Sequence, residues 1–390
     1  MMTKTGSFCY FLFLCIFSIA QNNYNVYFGN LHSHTSYSDG SGTPSDAFAY
    51  AKDVAHLDFL AVTDHMEQLL SFHLSLTNSA ADAATNSSFV GIAGYEWGSP
   101  YYGHVNVFNA TEMPSPLTYS SWSDFREWML THNPPSFAQF NHPGDEPTFN
   151  NWYNFEYKGE ATDSCFHLLE FQTIQEATDW YEVALNNGWH VSPVWNQDNH
   201  SPDWGTKNDG RAGIWSTALT RTALFDAINK GRTFATMDKN ASVWIRTGNY
   251  EMGQTTVVSG ITSVDITLND ADNEVFSSVE FVTNLGVVFT TANINSSSVS
   301  FDVDVTGVKY LFVRAIQADG DYIWSAPVYF DHQATFLKEI NNNFVISVFP
   351  NPVEKKLFLT LNSEKNQTSC IVSVIDITGK ELLSDRKSVV

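Results

Sequence analysis

Cysteine and positive charge are both scarce in this chain of 390 residues. Of 4 cysteines, Cys9 and Cys15 lie in an N-terminal apolar run, which leaves Cys165 and Cys370 far apart. Two such cysteines make no disulfide framework, so apolar cores and any bound metals must carry the stability. Lys and Arg number 20 against 42 Asp and Glu, a formal charge of −22. Non-specific nucleic-acid binding needs a basic footprint, so that partner is disfavoured. Beyond the N-terminus no stretch approaches ~18 consecutive apolar residues, and no membrane span is expected.

The one apolar run, Phe8 to Phe17, follows Lys4 and precedes Ser18-Ile19-Ala20. That order reads as a secretory signal peptide over residues 1–20, cleaved near Ala20. The protein is therefore expected to be secreted or displayed at the cell surface. A hydrophobic content of 43% with 11 Trp implies filled cores, and the length suits two or three domains.

Over residues 21–240 short apolar runs alternate with helical ones. Strands are expected at Phe59–Thr63, Phe89–Ala93, His104–Phe108, Phe137–Phe140 and His190–Val194. Helices are expected from Thr43-Pro44, an N-cap followed by proline, to about His56. Others are expected over Ser121–Leu130, Thr178–Asn186 and Thr220–Lys230, while residues 66–88 and 145–165 read as loops. Such alternation predicts an α/β fold. Residues 241–335 switch to period two, as in Val299 to Val305, and predict a β-sandwich. Residues 343–390 read as strand–turn–strand.

Two histidines two positions apart in "NLHSHTSYSDG" share one face of an extended segment. His32, His34 and the nearby Asp39 thus suggest part of a metal site. The remaining donors fall mostly at strand ends: Asp64 and His65 in "FLAVTDH", Glu96 in "GIAGYEW", His142 in "FAQFNHPG", Asp198 and His200 in "WNQDNHS". His104 instead opens a strand in "GHVNVF". Polar residues ending successive strands are how α/β folds assemble active sites. Mixed imidazole and carboxylate donors suit Zn²⁺, Mn²⁺ or Fe²⁺ better than Ca²⁺.

HxH, a short loop to Asp, TDH, a strand-end Glu, NHP and a late DxH resemble the PHP (polymerase and histidinol phosphatase) superfamily over about residues 26–236. The likeness is closer to its stand-alone metal-dependent phosphoesterase branch, which includes carbamate hydrolases. It implies a distorted (β/α)7 barrel with two or three divalent ions. One ion would take His32, His34, Glu96 and Asp198; a second would take the bridging Glu96, His104 and His142; a third would take Asp39, His65 and His200. Three divalent ions outweigh the charges of Asp39, Glu96 and Asp198, so an anionic ester can enter an acidic protein.

Three further expectations concern the chemistry. Glu96 is central to the bridging site. Asp64 is read as a carboxylate orienting a histidine, with direct catalysis as the other option. Arg211 could clamp a phosphate, or be a solvated loop residue. His56, His73, His132, His167, His190 and His332 match no motif and read as structural or surface groups. The "ISVFPNPVEKKLFLTLNS" and "IVSVIDITGKEL" stretches resemble a type IX secretion sorting segment, with secretion machinery as its partner. Such segments end in further strands, so this one reads as incomplete.

The expected activity is hydrolysis of phosphate mono- or diesters by a metal-bridging hydroxide. Hydrolysis of carboxyl, carbamate or amide bonds is the alternative. A non-catalytic surface binding module is the third reading.

Overall fold

A computed structural model describes residues 24–294 and 298–331, together with strands at 344–349, 358–363, 369–375 and 381–388. The signal-peptide segment and His332 lie outside the described residues.

The first half alternates strands and helices: β1 (Asn25–Asn30), α1 (Pro44–Asp53), β2 (Phe59–Val62), α2 (His73–Ala84), β3 (Val90–Ser99), β4 (Gly103–Phe108), α3 (Trp122–His132) and β5 (Phe137–Asn141). A left-handed turn labelled α4 (Asn151–Phe155) and a short helix, α5 (Glu160–Asp163), follow. Then come β6 (Phe166–Phe171), α6 (Ile174–Asn186), β7 (Ser192–Trp195), β8 (Arg211–Ser216), α7 (Arg221–Asn229) and β9 (Thr233–Thr236). Helix starts follow their capping chemistry. Thr43 and Asp46 form a reciprocal capping box ahead of Pro44. Ser121, Thr173 and Thr220 each accept a backbone N–H in the first turn of α3, α6 and α7.

Several expectations are corrected. The stretch 66–88 is no plain loop, because α2 occupies His73–Ala84. Helix α6 starts at Ile174, four residues before Thr178, because its cap is Thr173. Strands β6 and β8 had no counterpart in the strands expected from sequence.

These strands run in the order β9-β8-β1-β2-β3-β4-β5-β6-β7 within one large sheet. The β1–β2–β3 and β5–β6–β7 pairs are parallel. Strand β4 is antiparallel to both β3 and β5. Strand β7 returns against β9, where the Thr233 hydroxyl donates to the Pro193 carbonyl at 3.1 Å.

The second half is all strand: β10 (Ser242–Thr247), β11 (Tyr250–Glu251), β12 (Thr255–Thr256), β13 (Ile261–Asn269), β14 (Phe276–Thr283), β15 (Gly286–Ile294), β16 (Val299–Asp304), β17 (Tyr310–Gln317), β18 (Tyr322–Ser325) and β19 (Val328–Phe330). A four-stranded sheet, β11-β10-β13-β16, faces β14, β15 and β17 across a core that includes Val243, Ile266, Phe281 and Val313. Strand β18 pairs with β9 and so joins the two halves in one sheet. Phe312, Trp324 and Tyr329 lie in the same apolar cluster as Phe171 and Trp195. The C-terminal strands form two hairpins, 344–349 with 358–363 and 369–375 with 381–388.

Candidate metal centre

The chain leaves β1 still extended, and residues 31–34 run between two neighbours. The Thr63 N–H donates to the Ser33 carbonyl at 2.8 Å, and the His34 N–H donates to the Asn199 carbonyl at 2.8 Å. That strand-like path puts His32 and His34 on one side, with their Nε2 atoms 3.1 Å apart. The chain then turns at Asp39-Gly40. A Cβ on Gly40 would lie 2.8 Å from the His34 carbonyl oxygen, so the tight return requires glycine there.

His65 follows β2 and bridges to Glu96 of β3. Its Nδ1 lies 3.0 Å from Glu96 Oε2 and its Nε2 lies 3.6 Å from Asp39. His104 opens β4 because β4 runs antiparallel, which brings its start to the edge where the parallel strands end. Its Nδ1 is 3.2 Å from Glu96 Oε1. His142, just past β5, is 3.3 Å from the same oxygen. Asp198 Oδ1 lies 2.9 Å from His34 Nε2 and 3.3 Å from His32 Nε2. His200 is 3.3 Å from Asp39. His142 and Asp198 have φ of 26° and 46°, a region costly for non-glycine residues and frequent at functional sites.

The structure thus brings His32, His34, Asp39, His65, Glu96, His104, His142, Asp198 and His200 together. They form a continuous cluster rather than three separate sets. Donor atoms of His34, Asp39, His65 and His200 lie within 4.8 Å of one another, as do those of His32, His34 and Asp198, and those of His65, Glu96 and His104. His34 and His65 each sit in two of these groups. The cluster grades from a closed floor to an open rim: Glu96 is 1% exposed, whereas His200 and Asp39 are 39% and 44% exposed.

Glu170, at the end of β6, was missed. Both its oxygens lie 3.0 Å from His32 Nδ1, and Oε2 accepts the His142 N–H at 3.0 Å. Its sequence signal was an acid closing the apolar run "FHLLEF", the same form as Glu96 in "GIAGYEW".

Two residues expected to serve chemistry make their hydrogen bonds with neighbouring loops. The Asp64 carboxylate accepts the Thr35 N–H and hydroxyl, both at 2.7 Å, and the Ser38 hydroxyl at 2.6 Å. It reaches a histidine only through Ser38, 3.4 Å from His34 Nδ1, so it positions the HxH loop. Arg211 is buried, and its guanidinium donates to the Asn208 and Gly210 carbonyls. Those bonds, both from Nη1, tie the guanidinium to its own loop.

Electrostatics polarise the cluster. Burial disfavours a proton on His32, yet Asp198, Glu170 and Glu96 outweigh that and raise its pKa well above the usual value. Burial, aided by the charge of His32, lowers His34 despite Asp198 and Glu96. His65 and His142 are each pushed up to about 9, because Glu96 overcomes the opposing cost of burial. Burial would raise the Glu96 carboxyl, but His32, His104 and His142 hold it well below the usual range.

The residues fit divalent ions. Glu96 Oε2, Asp198 Oδ1 and His142 Nδ1 are buried without a hydrogen bond, although histidine nitrogens stand close to both oxygens. Crowded donors with buried atoms left unbonded are what a set of ligands to common ions requires. Imidazole with carboxylate is a first-row donor set.

No protein-family model matches the chain, and no curated protein does. Among solved structures, it is similar to a two-domain protein from Bacteroides vulgatus ATCC 8482 containing a predicted PHP-like metal-dependent phosphoesterase. The TM-score is 0.46 at 16% identity, over 79% of this chain and 96% of that one. It is also similar to PsfC from Pseudomonas syringae PB-5123, with a TM-score of 0.40 at 13% identity, over 54% and 90%. A third is the lesion-specific endonuclease PfuEndoQ from Pyrococcus furiosus, with a TM-score of 0.37 at 15% identity, over 53% and 56%. At such TM-scores no chemistry is carried from one chain to another.

Proposed function

We propose that this chain is a secreted metal-dependent phosphoesterase of the PHP type, cleaving phosphate mono- or diesters at two or three divalent ions, Zn²⁺, Mn²⁺ or Fe²⁺. The observation that carries the reading is the convergence of six histidines with Asp39, Glu96 and Asp198, in which two buried carboxylate oxygens, Glu96 Oε2 and Asp198 Oδ1, accept no hydrogen bond. In the same reading the strand run β1-β2-β3-β4-β5-β6-β7 is a distorted (β/α)7 barrel, followed by a β-sandwich and a sorting segment.

Glu96 would link the inner donors, and His34 with His65 would link inner to outer ones. When bound, the ions supply Lewis acidity and water of lowered pKa. The chain's own groups fix the donors. Glu170 holds the His32 ring by Nδ1, leaving Nε2 for a metal. Asn141 donates to Glu96 Oε1 at 2.8 Å, steadying the proposed bridge. Asp64 clamps the loop between His34 and Asp39.

The test is a panel of bis-p-nitrophenyl phosphate, p-nitrophenyl phosphate and p-nitrophenyl acetate, run with elemental analysis on the same full-length sample. Phosphate-ester turnover that depends on metal and falls by ~10³ in Glu96→Gln, the scale of losing a major electrostatic element, is expected. A metal-replete chain that cleaves only the acetate would move the reading to carboxyl, carbamate or amide bonds. Export is tested separately: expressed in a Gram-negative host, the mature protein should begin just after Ala20, and an intact N-terminus would remove the secretory reading.

A further inference from the structure

Strand alternation puts Gln139 and Asn141 of β5 on one face, while their neighbours Ala138 and Phe140 enter an apolar cluster. Gln139, Asn141 and Asn196, which directly follows β7, are all 0% exposed. Their carboxamides are joined in one line. Asn196 Nδ2 donates to Gln139 Oε1 at 3.4 Å, and Gln139 Nε2 donates to Asn141 Oδ1 at 2.9 Å. Asn141 Nδ2 in turn donates to Glu96 Oε1 at 2.8 Å. At the far end Asn196 Oδ1 accepts the Leu31 N–H at 2.7 Å.

Half a rotation of a carboxamide exchanges its oxygen and nitrogen, so a lone amide can point either way. The two ends of this line remove that freedom, because a carboxylate only accepts and a backbone N–H only donates. Glu96 requires a nitrogen from Asn141, which then offers its oxygen to Gln139. Gln139 offers its oxygen to Asn196, and the oxygen of Asn196 is left for the Leu31 N–H. Turning Gln139 alone would set nitrogen against nitrogen at Asn196 and oxygen against oxygen at Asn141. Buried polar groups mispaired in this way are costly, whereas amides aligned in one sense polarise one another toward the charge on Glu96.

We propose that Gln139 and Asn196 are positioning residues for the metal centre. Their side chains reach Glu96 only through Asn141. By that route they hold Glu96 Oε1 and leave Oε2, which accepts no hydrogen bond, to face ions. Through Leu31 the same line ties the carboxylate to the backbone entering His32. The inference rests on the metal-centre reading given above, but not on the reaction assigned to it.

The experiment uses the full-length chain and reads Zn²⁺ affinity by competition with a chromophoric chelator, well below the Tm of each metal-free protein. Gln139→Met keeps the length of the side chain and removes its donor and acceptor, so Asn141 is free to turn its oxygen to Glu96. Zn²⁺ affinity should fall by about three- to tenfold, less than for a partner that touches a ligand directly. The absorption bands of bound Co²⁺, which follow ligand geometry, should shift. Asn196→Ser, one rung further away, should weaken Zn²⁺ by a smaller factor. A part in packing alone would lower the Tm of the metal-free chain and leave affinity and bands unchanged; that result in a folded Gln139→Met chain overturns the proposal. In the native metal-loaded chain the Leu31 N–H should exchange slowly with solvent. Rapid exchange would break the line at its far end and overturn the proposal whether or not the variants fold. A native chain that binds no Zn²⁺ overturns both this inference and the metal-centre reading. One that binds Zn²⁺ without cleaving phosphate esters overturns only the proposed reaction, and the affinity series then supports the positioning role by itself.

Discussion

Both carboxylate oxygens of Glu170 stand 3.0 Å from Nδ1 of His32. The contact joins the end of β6 to the segment after β1, 138 residues apart. It fixes which nitrogen of His32 faces the cluster, a constraint common around metal-binding imidazoles.

Glu170→Gln is expected to keep the shape and lose the charge. Metal affinity should fall by about 10–100-fold, the range for partners that orient a ligand. Competition with a chromophoric chelator measures it. Unchanged affinity would mean that Glu170 only fills space beside His32.

Asp39 stands at the open rim, 3.6 Å from His65 and 3.3 Å from His200. Asp39→Asn should cost one ion per chain and lower turnover, while the inner ions stay. Excess Mn²⁺ or Zn²⁺ should partly restore the rate by mass action. Elemental analysis decides the matter: loss of every ion would assign Asp39 to the inner group. No change at all would leave it a turn residue.

Proton and metal compete for the same imidazoles. In the metal-free chain His65 and His142 sit at about 9, above the usual value near ~6.5. Their contribution to stability is therefore complete below about pH 6.5 and is lost as pH climbs through about 9. Metal affinity should rise across the same interval, since an imidazole ligates only when neutral. Calorimetry in buffers of different ionisation enthalpy should detect proton release on metal binding at pH 7. A pH-independent affinity between 6.5 and 9 would contradict the assignment of these two histidines.

Cutting the chain after residue 240 should yield a poorly soluble fragment. The cut removes β18, which pairs with β9, and uncovers the Phe171 and Trp195 faces that pack on Trp324. An unpaired edge beside exposed aromatics invites association. Size-exclusion chromatography of residues 24–240 against residues 24–331 tests this. A monomeric short fragment would show that the two halves fold independently.

Much of the local structure was legible because its causes are local. Thr43-Pro44, Ser121 and Thr220 are capping signals, and helices begin where they stand. Helix α2 was not legible, since His73–Ala84 lacks a capping side chain at its start and is rich in Ser and Ala. Strand β8 escaped because "RAGIWS" shows no clean alternation: most of its residues are buried within the large sheet.

By itself the sequence determined the order of most candidate donors, Glu170 excepted, because HxH, TDH, NHP and DxH are short motifs whose chemistry is in the residue types. Tertiary structure alone decided how those donors group. The antiparallel β4 carries His104 to the edge where other strands end, and His34 and His65 each face two groups at once. It also decided that Asp64 braces a loop, that Arg211 turns to its own carbonyls, and that Glu170 meets His32. Those outcomes depend on pairing partners distant in the chain, and strand order and side-chain direction fix them only once the sheet is formed.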